Sequence, residues 1–277
     1  MGLGATLLRE GEGFVNRQRL GERVYGAALN ATGRTKRGEA VKILGHRGAS
    51  ADRPENTIEA FTEALAQGAD GVELDVMQCE SGELVVCHDE TLERLAGLPW
   101  HVAHTPYSRL KKADVGTALG FSPARIPRLE EVFEALPASA LINVEIKCEK
   151  SDDRGLAVAV GECIARLGRA EQVWVSSFNA LCLMRLAQSA PMLRRGQLID
   201  PDKGYYWQTW GLTPVTASAS IHPHASACTP ARVRQWHRSG WKVAVWTVDS
   251  PSDALSMRDM GVDMLITNRP AALKKLL

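Results

Sequence analysis

The chain has 277 residues, a length that fits one (β/α)8 barrel as readily as two smaller domains. With 45% hydrophobic and 23% charged residues it has an ordinary globular balance, which excludes a disordered or fibrous chain. Thirty-three basic and 32 acidic residues leave a formal charge of +1, which argues against a general nucleic-acid binder, and no apolar run reaches the roughly 18 residues of a spanning helix.

Residues 1–40 mix Gly, Arg and small residues, with a faint helical pattern around 20–29. They read as a poorly ordered or peripheral leader to one domain over 41–277; the alternative is a basic amphipathic segment that touches a membrane or a partner. They lack a charged stretch followed by a long apolar core, so no secretory signal is expected. Six cysteines, at 79, 87, 148, 163, 182 and 228, include no CxxC pair. The expectation is a cytoplasmic protein with reduced thiols.

From residue 41 onward, short apolar strands alternate with helical patterns. The strands are expected over 41–46, 71–77, 141–147, 172–177, 195–199, 218–222, 242–248 and 264–267. Alternation of this kind implies parallel strands with crossover helices. Eight units imply a closed barrel, although an open doubly wound sheet shares the pattern. Asn56 is placed to cap a helix over 58–66, with Glu59 at its third position and Gly68 past its end. Thr229-Pro230 and Ser250-Pro251 each read as a cap followed by proline in the first turn.

A ninth apolar run, 84–88, follows the second strand after only Cys79-Glu80-Ser81-Gly82-Glu83. Five residues are too few for a crossover helix, so the two runs should form an antiparallel hairpin that turns at Ser81-Gly82. A two-residue turn pairs Glu80 with Glu83, and by count Asp75 with His88.

Side chains alternate faces along a strand, so Glu73 and Asp75 share one face, and Asn143, Glu145 and Lys147 share another. Burying unpaired carboxylates costs several kcal/mol, roughly, for each ion. A Lys147–Glu145 salt bridge inside the barrel leaves Glu73 and Asp75 unexplained. A divalent cation compensates all three carboxylates, and all-oxygen ligands favour a hard ion, Mg2+ or Ca2+. His46 ends the first strand, where barrels carry their chemistry, between Gly45 and Gly48, which let backbone approach a ligand closely. Arg47 offers a planar fork for phosphate oxygens. His46 and His88 beside a cation site suit a divided general base and general acid role. His222-Pro223-His224 has the shape of a metal pair, but its proline breaks the strand alternation and it reads as structural.

These residues fall into seven short motifs in order: His46-Arg47-Gly48, Pro54-Glu55-Asn56-Thr57, Glu73-Leu74-Asp75-Val76, Leu84 to Asp89, Glu145-Ile146-Lys147, Trp246-Thr247-Val248, and Gly261-Val262-Asp263 with Ile266-Thr267. Together they resemble the glycerophosphodiester phosphodiesterase family over about residues 41–270. The resemblance implies a TIM barrel with a hairpin insertion after the second strand. It implies metal-dependent hydrolysis of a small-molecule glycerophosphodiester to glycerol 3-phosphate and an alcohol. By the same resemblance Glu73, Asp75 and Glu145 are metal ligands and His46 and His88 catalytic. Arg47 and Lys147 hold the phosphate, and Trp246 lines the substrate end. The chain departs from the family at Asn268, where Asp is usual, and at Arg128, where a Thr cap is usual. A lysophospholipase D-type activity on the same fold, and a non-enzymatic phosphate-binding protein, are the rival readings. Tyr205, Tyr206, Trp207 and Trp210 either pack the barrel rim or form a wall over the alcohol end of the substrate.

Overall fold

Eight strands close into a ring in which every neighbour is parallel: β1 (Lys42–His46), β2 (Gly71–Gln78), β4 (Leu141–Ile146), β5 (Val173–Ser177), β6 (Arg194–Ile199), β7 (Ser220–Pro223), β8 (Lys242–Val245) and β9 (Met264–Thr267), which returns to β1. The computed structural model describes residues 40–204 and 207–277. The 1–40 leader, apart from Ala40, and Tyr205 and Tyr206 lie outside the described residues. All eight expected strands are present, and ring closure excludes the open sheet.

The crossovers carry α1 (Ile58–Ala66), α2 (Leu129–Ala135), α3 (Leu156–Arg166), α4 (Ala180–Ser189), α5 (Pro230–Arg238) and α6 (Pro251–Met260), and α7 (Pro270–Leu276) follows β9. The β6–β7 connection instead uses a π-helical turn, Trp207–Leu212. Outward residues such as Val72, Leu74, Ile142 and Val144 pack under the helices in the main apolar layer. Each side chain of this kind contributes about 1.5–3 kcal/mol on full burial. The barrel interior holds a second, smaller cluster of Leu44, Ala244, Met264 and Ile266.

Thr57, not Asn56, caps α1: its Oγ1 accepts from Ala60 N at 3.2 Å, while Asn56 turns at φ +58°. Thr229 and Ser250 cap α5 and α6 as expected. Arg128 precedes α2 without a side-chain cap, and Glu131 accepts the Arg128 backbone N–H at 2.8 Å in its place. Gly45 and Gly48 serve packing rather than ligand approach. A Cβ on Gly45 would lie 2.8 Å from Ala64 Cβ, and one on Gly48 2.5 Å from the backbone of Ala60, so both glycines admit α1 against the β1 end.

β3 (Leu84–Val86) pairs antiparallel with the end of β2, through Val76↔Val86, Met77↔Val85 and Gln78↔Leu84. The turn is one residue longer than the two-residue reading. Cys79 N donates to Glu83 O at 3.0 Å, and Gly82 adopts φ +95° in a three-residue loop. The register therefore slips by one. Cys87, not His88, lies opposite Asp75, and its N–H donates to Asp75 O at 3.0 Å.

Candidate active site

Parallel closure puts the C-terminal ends of all eight strands on one rim. Glu73, Asp75 and Glu145 meet there because β2 and β4 run in register, with Asp75 directly beside Glu145. One oxygen from each of the three lies within 4.8 Å of the others, and they form the only such cluster among the described residues. Glu73 and Asp75 are buried.

The cluster strains against its own charge. Burial, and then the charges of Asp75 and Glu145, push the Glu73 carboxyl well above the usual carboxylate range. Burial and the Asp75 charge raise Glu145 to about 7, although Lys147 opposes the rise. Burial also disfavours the Asp75 charge, but Arg47, Lys147 and His88 together with an Asn56 hydrogen bond hold it below its ordinary value. Converging, under-compensated carboxylate oxygens are the donor set of a hard divalent cation, and the residues present fit one.

Two cations flank the cluster. Arg47 Nε lies 3.2 Å from Asp75 Oδ2, and Arg47 Nη1 donates to Glu55 Oε1 at 2.9 Å. Its backbone N–H donates to Glu73 Oε2 at 3.0 Å, with φ at +54°, a conformation rare for a non-glycine residue and characteristic of functional sites. Lys147 Nζ lies 3.0 Å from Glu145 Oε1 and 3.9 Å from Asp75 Oδ1. Lys147 follows the end of β4, and its N–H continues the ladder to Val76 O at 3.0 Å.

The two histidines have unlike partners. His46 Nδ1 is 2.8 Å from the Asn268 amide oxygen, and its Nε2 faces Glu73 Oε2 at 3.9 Å. Burial and the Arg47 charge lower the pKa of His46. His88 Nδ1 is 2.7 Å from the Asp89 carboxylate, which Arg94 also holds at 2.6 Å. His46, Arg47, Glu73, His88, Glu145, Lys147 and Trp246 all line one cleft of about 210 Å3. Trp246 stands just beyond β8. Its indole N–H donates to His222 O at 2.8 Å, and Phe178 meets its ring edge-on at 5.6 Å.

A larger cleft of about 680 Å3 adjoins the first and shares His88, Glu145, Lys147 and Phe178 with it. Its wall is mixed: Asp89, Glu90, Glu149, Asp200 and Lys203 stand beside Met77, Ile146, Cys148 and Ala180. Neither Trp207 nor Trp210 lines it. Trp210 packs on Trp241, the residue before β8, at 5.3 Å. His222 and His224 each meet a serine hydroxyl. His222 is buried with Nε2 2.8 Å from Ser220 Oγ, while His224 Nδ1 is 2.8 Å from Ser226 Oγ.

Four residues at the site carry roles that the sequence reading did not assign. Asn56 and Glu55 lie within one motif, where the sequence offers Asn56 only as a helix cap and gives Glu55 no role of its own. Asp249 and Asn268 follow the consecutive strands β8 and β9, and only the closed ring brings Asn268, with Asp249 behind it, to His46. Asn268 was visible as a departure from the family pattern, without a partner to explain it.

The chain matches the model of the glycerophosphoryl diester phosphodiesterase family over residues 46–272. It is 36% identical over 237 residues to a glycerophosphodiester phosphodiesterase of Caldanaerobacter subterraneus subsp. tengcongensis, covering 84% of this chain and 96% of the relative. Among solved structures it is similar to the Thermotoga maritima glycerophosphodiester phosphodiesterase, with a TM-score of 0.73 and 31% identity, covering 87% of this chain and 100% of the other. It is also similar to an Oleispira antarctica phosphodiesterase solved with the product sn-glycerol-3-phosphate, with a TM-score of 0.74 and 27% identity, covering 85% and 96% of the two chains.

Proposed function

The chain belongs to the glycerophosphodiester phosphodiesterase family, and from that footing we propose a divalent-cation-dependent hydrolysis of small, water-soluble glycerophosphodiesters to glycerol 3-phosphate and an alcohol. The observation that carries the reading is the convergence of Glu73, Asp75 and Glu145 within 4.8 Å in a cleft that His46, His88, Arg47 and Lys147 also line.

Glu73, Asp75 and Glu145 would hold the cation, Mg2+ or Ca2+. When bound, such an ion orients the diester and offsets the negative charge that builds on phosphorus. Arg47 and Lys147 bind the phosphate oxygens, Arg47 through its planar fork. His46 accepts a proton at Nε2 from the nucleophile, either water or the glycerol 2-hydroxyl. His88, with the Asp89 carboxylate as counter-charge, donates a proton to the leaving alkoxide. Trp246 and Phe178 wall the substrate end.

The charged side chains of the adjoining cleft, Asp89, Glu90, Glu149, Asp200 and Lys203, favour a small polar alcohol over an acyl chain. No helix among the described residues is long and apolar enough to cross a membrane. All six cysteines are unpaired, which supports a reducing, cytoplasmic setting.

Release of glycerol 3-phosphate from glycerophosphocholine and glycerophosphoethanolamine, with and without EDTA, tests the reading. Turnover that is unchanged in excess EDTA removes it. A kcat/KM higher by about tenfold, 1.4 kcal/mol, for lysophosphatidylcholine below its micelle threshold replaces it with the lysophospholipase D reading.

A further inference from the structure

His46 is held from behind by two polar residues on neighbouring strand ends. Asn268 follows β9, which pairs with β1 through Gly45↔Thr267, and Asp249 follows β8, the next strand round. The Asp249 carboxylate accepts from Asn268 Nδ2 at 2.6 Å, from Asn268 N at 2.7 Å and from Thr267 Oγ1 at 2.9 Å. The far side of the same amide, Oδ1, lies 2.8 Å from His46 Nδ1 and accepts from Ser50 Oγ at 2.7 Å.

This chain of contacts has one consistent assignment of hydrogens. A carboxylate offers acceptors only, so the Asn268 NH2 group must face Asp249. The amide oxygen must then face His46, and an amide oxygen accepts only. The proton of neutral His46 therefore sits on Nδ1, and the lone pair sits on Nε2, which points into the cleft toward Glu73.

We propose that Asn268, oriented by Asp249, is a positioning residue that locks His46 in the Nδ1–H tautomer and so makes Nε2 its proton acceptor. The inference rests on the reading that His46 takes the proton from the nucleophile. It assigns a purpose to an amide at this position. Asn268 sets tautomer and ring direction without placing a net charge against the ring, and the charge stands one residue further back, on Asp249.

The test uses three variants of the full chain. In Asp249→Asn the new amide can present its NH2 to position 268, so the Asn268 amide rotates and its own NH2 faces Nδ1. The tautomer inverts to Nε2–H. The expected result is a kcat loss of at least about tenfold, at the scale of a lost orienting partner, and up to about 10⁴-fold for a wrong tautomer, with KM little changed. Asn268→Asp keeps an acceptor toward Nδ1, and so the Nδ1–H tautomer, but sets two carboxylates face to face, and should lose kcat through that repulsion. The double variant Asn268→Asp with Asp249→Asn exchanges amide and carboxylate. It restores an acceptor facing His46 and a donor behind it, and should recover most of the lost kcat.

Long-range 15N–1H correlation spectra of histidine-labelled protein read the tautomer directly, and thermal melts confirm that each variant is folded. Near wild-type kcat in Asp249→Asn overturns the proposal, as does an unchanged Nδ1–H signature in that variant or a double variant no better than the singles. His46→Ala separates the two levels. Full activity in that variant defeats the reading of His46 itself. An inactive His46→Ala beside a fully active Asp249→Asn defeats only the positioning role.

Discussion

Asn56 and Asp75 exchange two hydrogen bonds at the barrel mouth: Asn56 Nδ2 donates to Asp75 Oδ2 at 2.9 Å, and Asp75 N donates to Asn56 Oδ1 at 3.2 Å. The pair ties the loop before α1 to β2 and leaves Asp75 Oδ1 toward Lys147. An orienting partner of this kind is worth about 10–100-fold in metal affinity. Asn56→Ala should therefore raise the cation concentration for half-maximal activity by that factor, with kcat largely recovered at saturating cation. A metal titration that superimposes on the wild-type curve would show that Asn56 only shapes the loop.

Glu145→Gln keeps the shape of the side chain and removes one charge from the cluster. It should abolish cation-dependent turnover with an unchanged circular dichroism spectrum. Isothermal titration with Mg2+ or Ca2+ should show weakened binding. Wild-type turnover in this variant defeats the three-carboxylate site.

His46→Ala and His88→Ala should each lower kcat by about 10²–10⁴-fold, the scale of a general acid or base. Both groups act in one chemical event, so the double variant should be far less damaged than the product of the single losses. A strictly multiplicative double variant would argue for two independent steps.

The raised carboxyls make a stability prediction for metal-free protein. Glu145 titrates at about 7 in the fold, against about 4.3 for an unfolded chain. A folded pKa above the unfolded one means that the fold binds its proton more tightly. That contribution is complete below about pH 4.3 and is lost as pH rises through about 7. In EDTA, Tm should fall between pH 5 and pH 8, and saturating divalent cation should restore it at pH 8. Glu145→Gln should flatten the fall. A Glu145→Gln profile parallel to wild type excludes Glu145 as the source.

At the substrate end, Phe178→Ala removes an exposed ring that leans on Trp246 and borders both clefts. KM for glycerophosphocholine should rise while kcat at saturation stays close to wild type. Trp207→Ala, whose ring lines neither cleft, should leave both constants unchanged. Equal effects from the two substitutions would place the alcohol elsewhere on the rim.

Period-two and helical patterns carried most of the barrel, because a strand buried under helices shows its apolar run in local sequence whatever the partner. Strand alternation also placed Glu73 with Asp75 and Asn143 with Glu145 and Lys147 on shared faces, since a side-chain period of two is a property of one chain segment. What failed was local geometry that depends on a single residue. A third loop residue, closed by Gly82, shifted the hairpin by one, and Thr57 displaced Asn56 as the α1 cap. The convergence of β2 with β4, the seating of Asn268 between His46 and Asp249, and the packing of Trp210 on Trp241 came from the closed ring alone. Those relationships join residues up to 222 positions apart, and hydrogen-bond partners at that separation leave no periodicity in the chain to read.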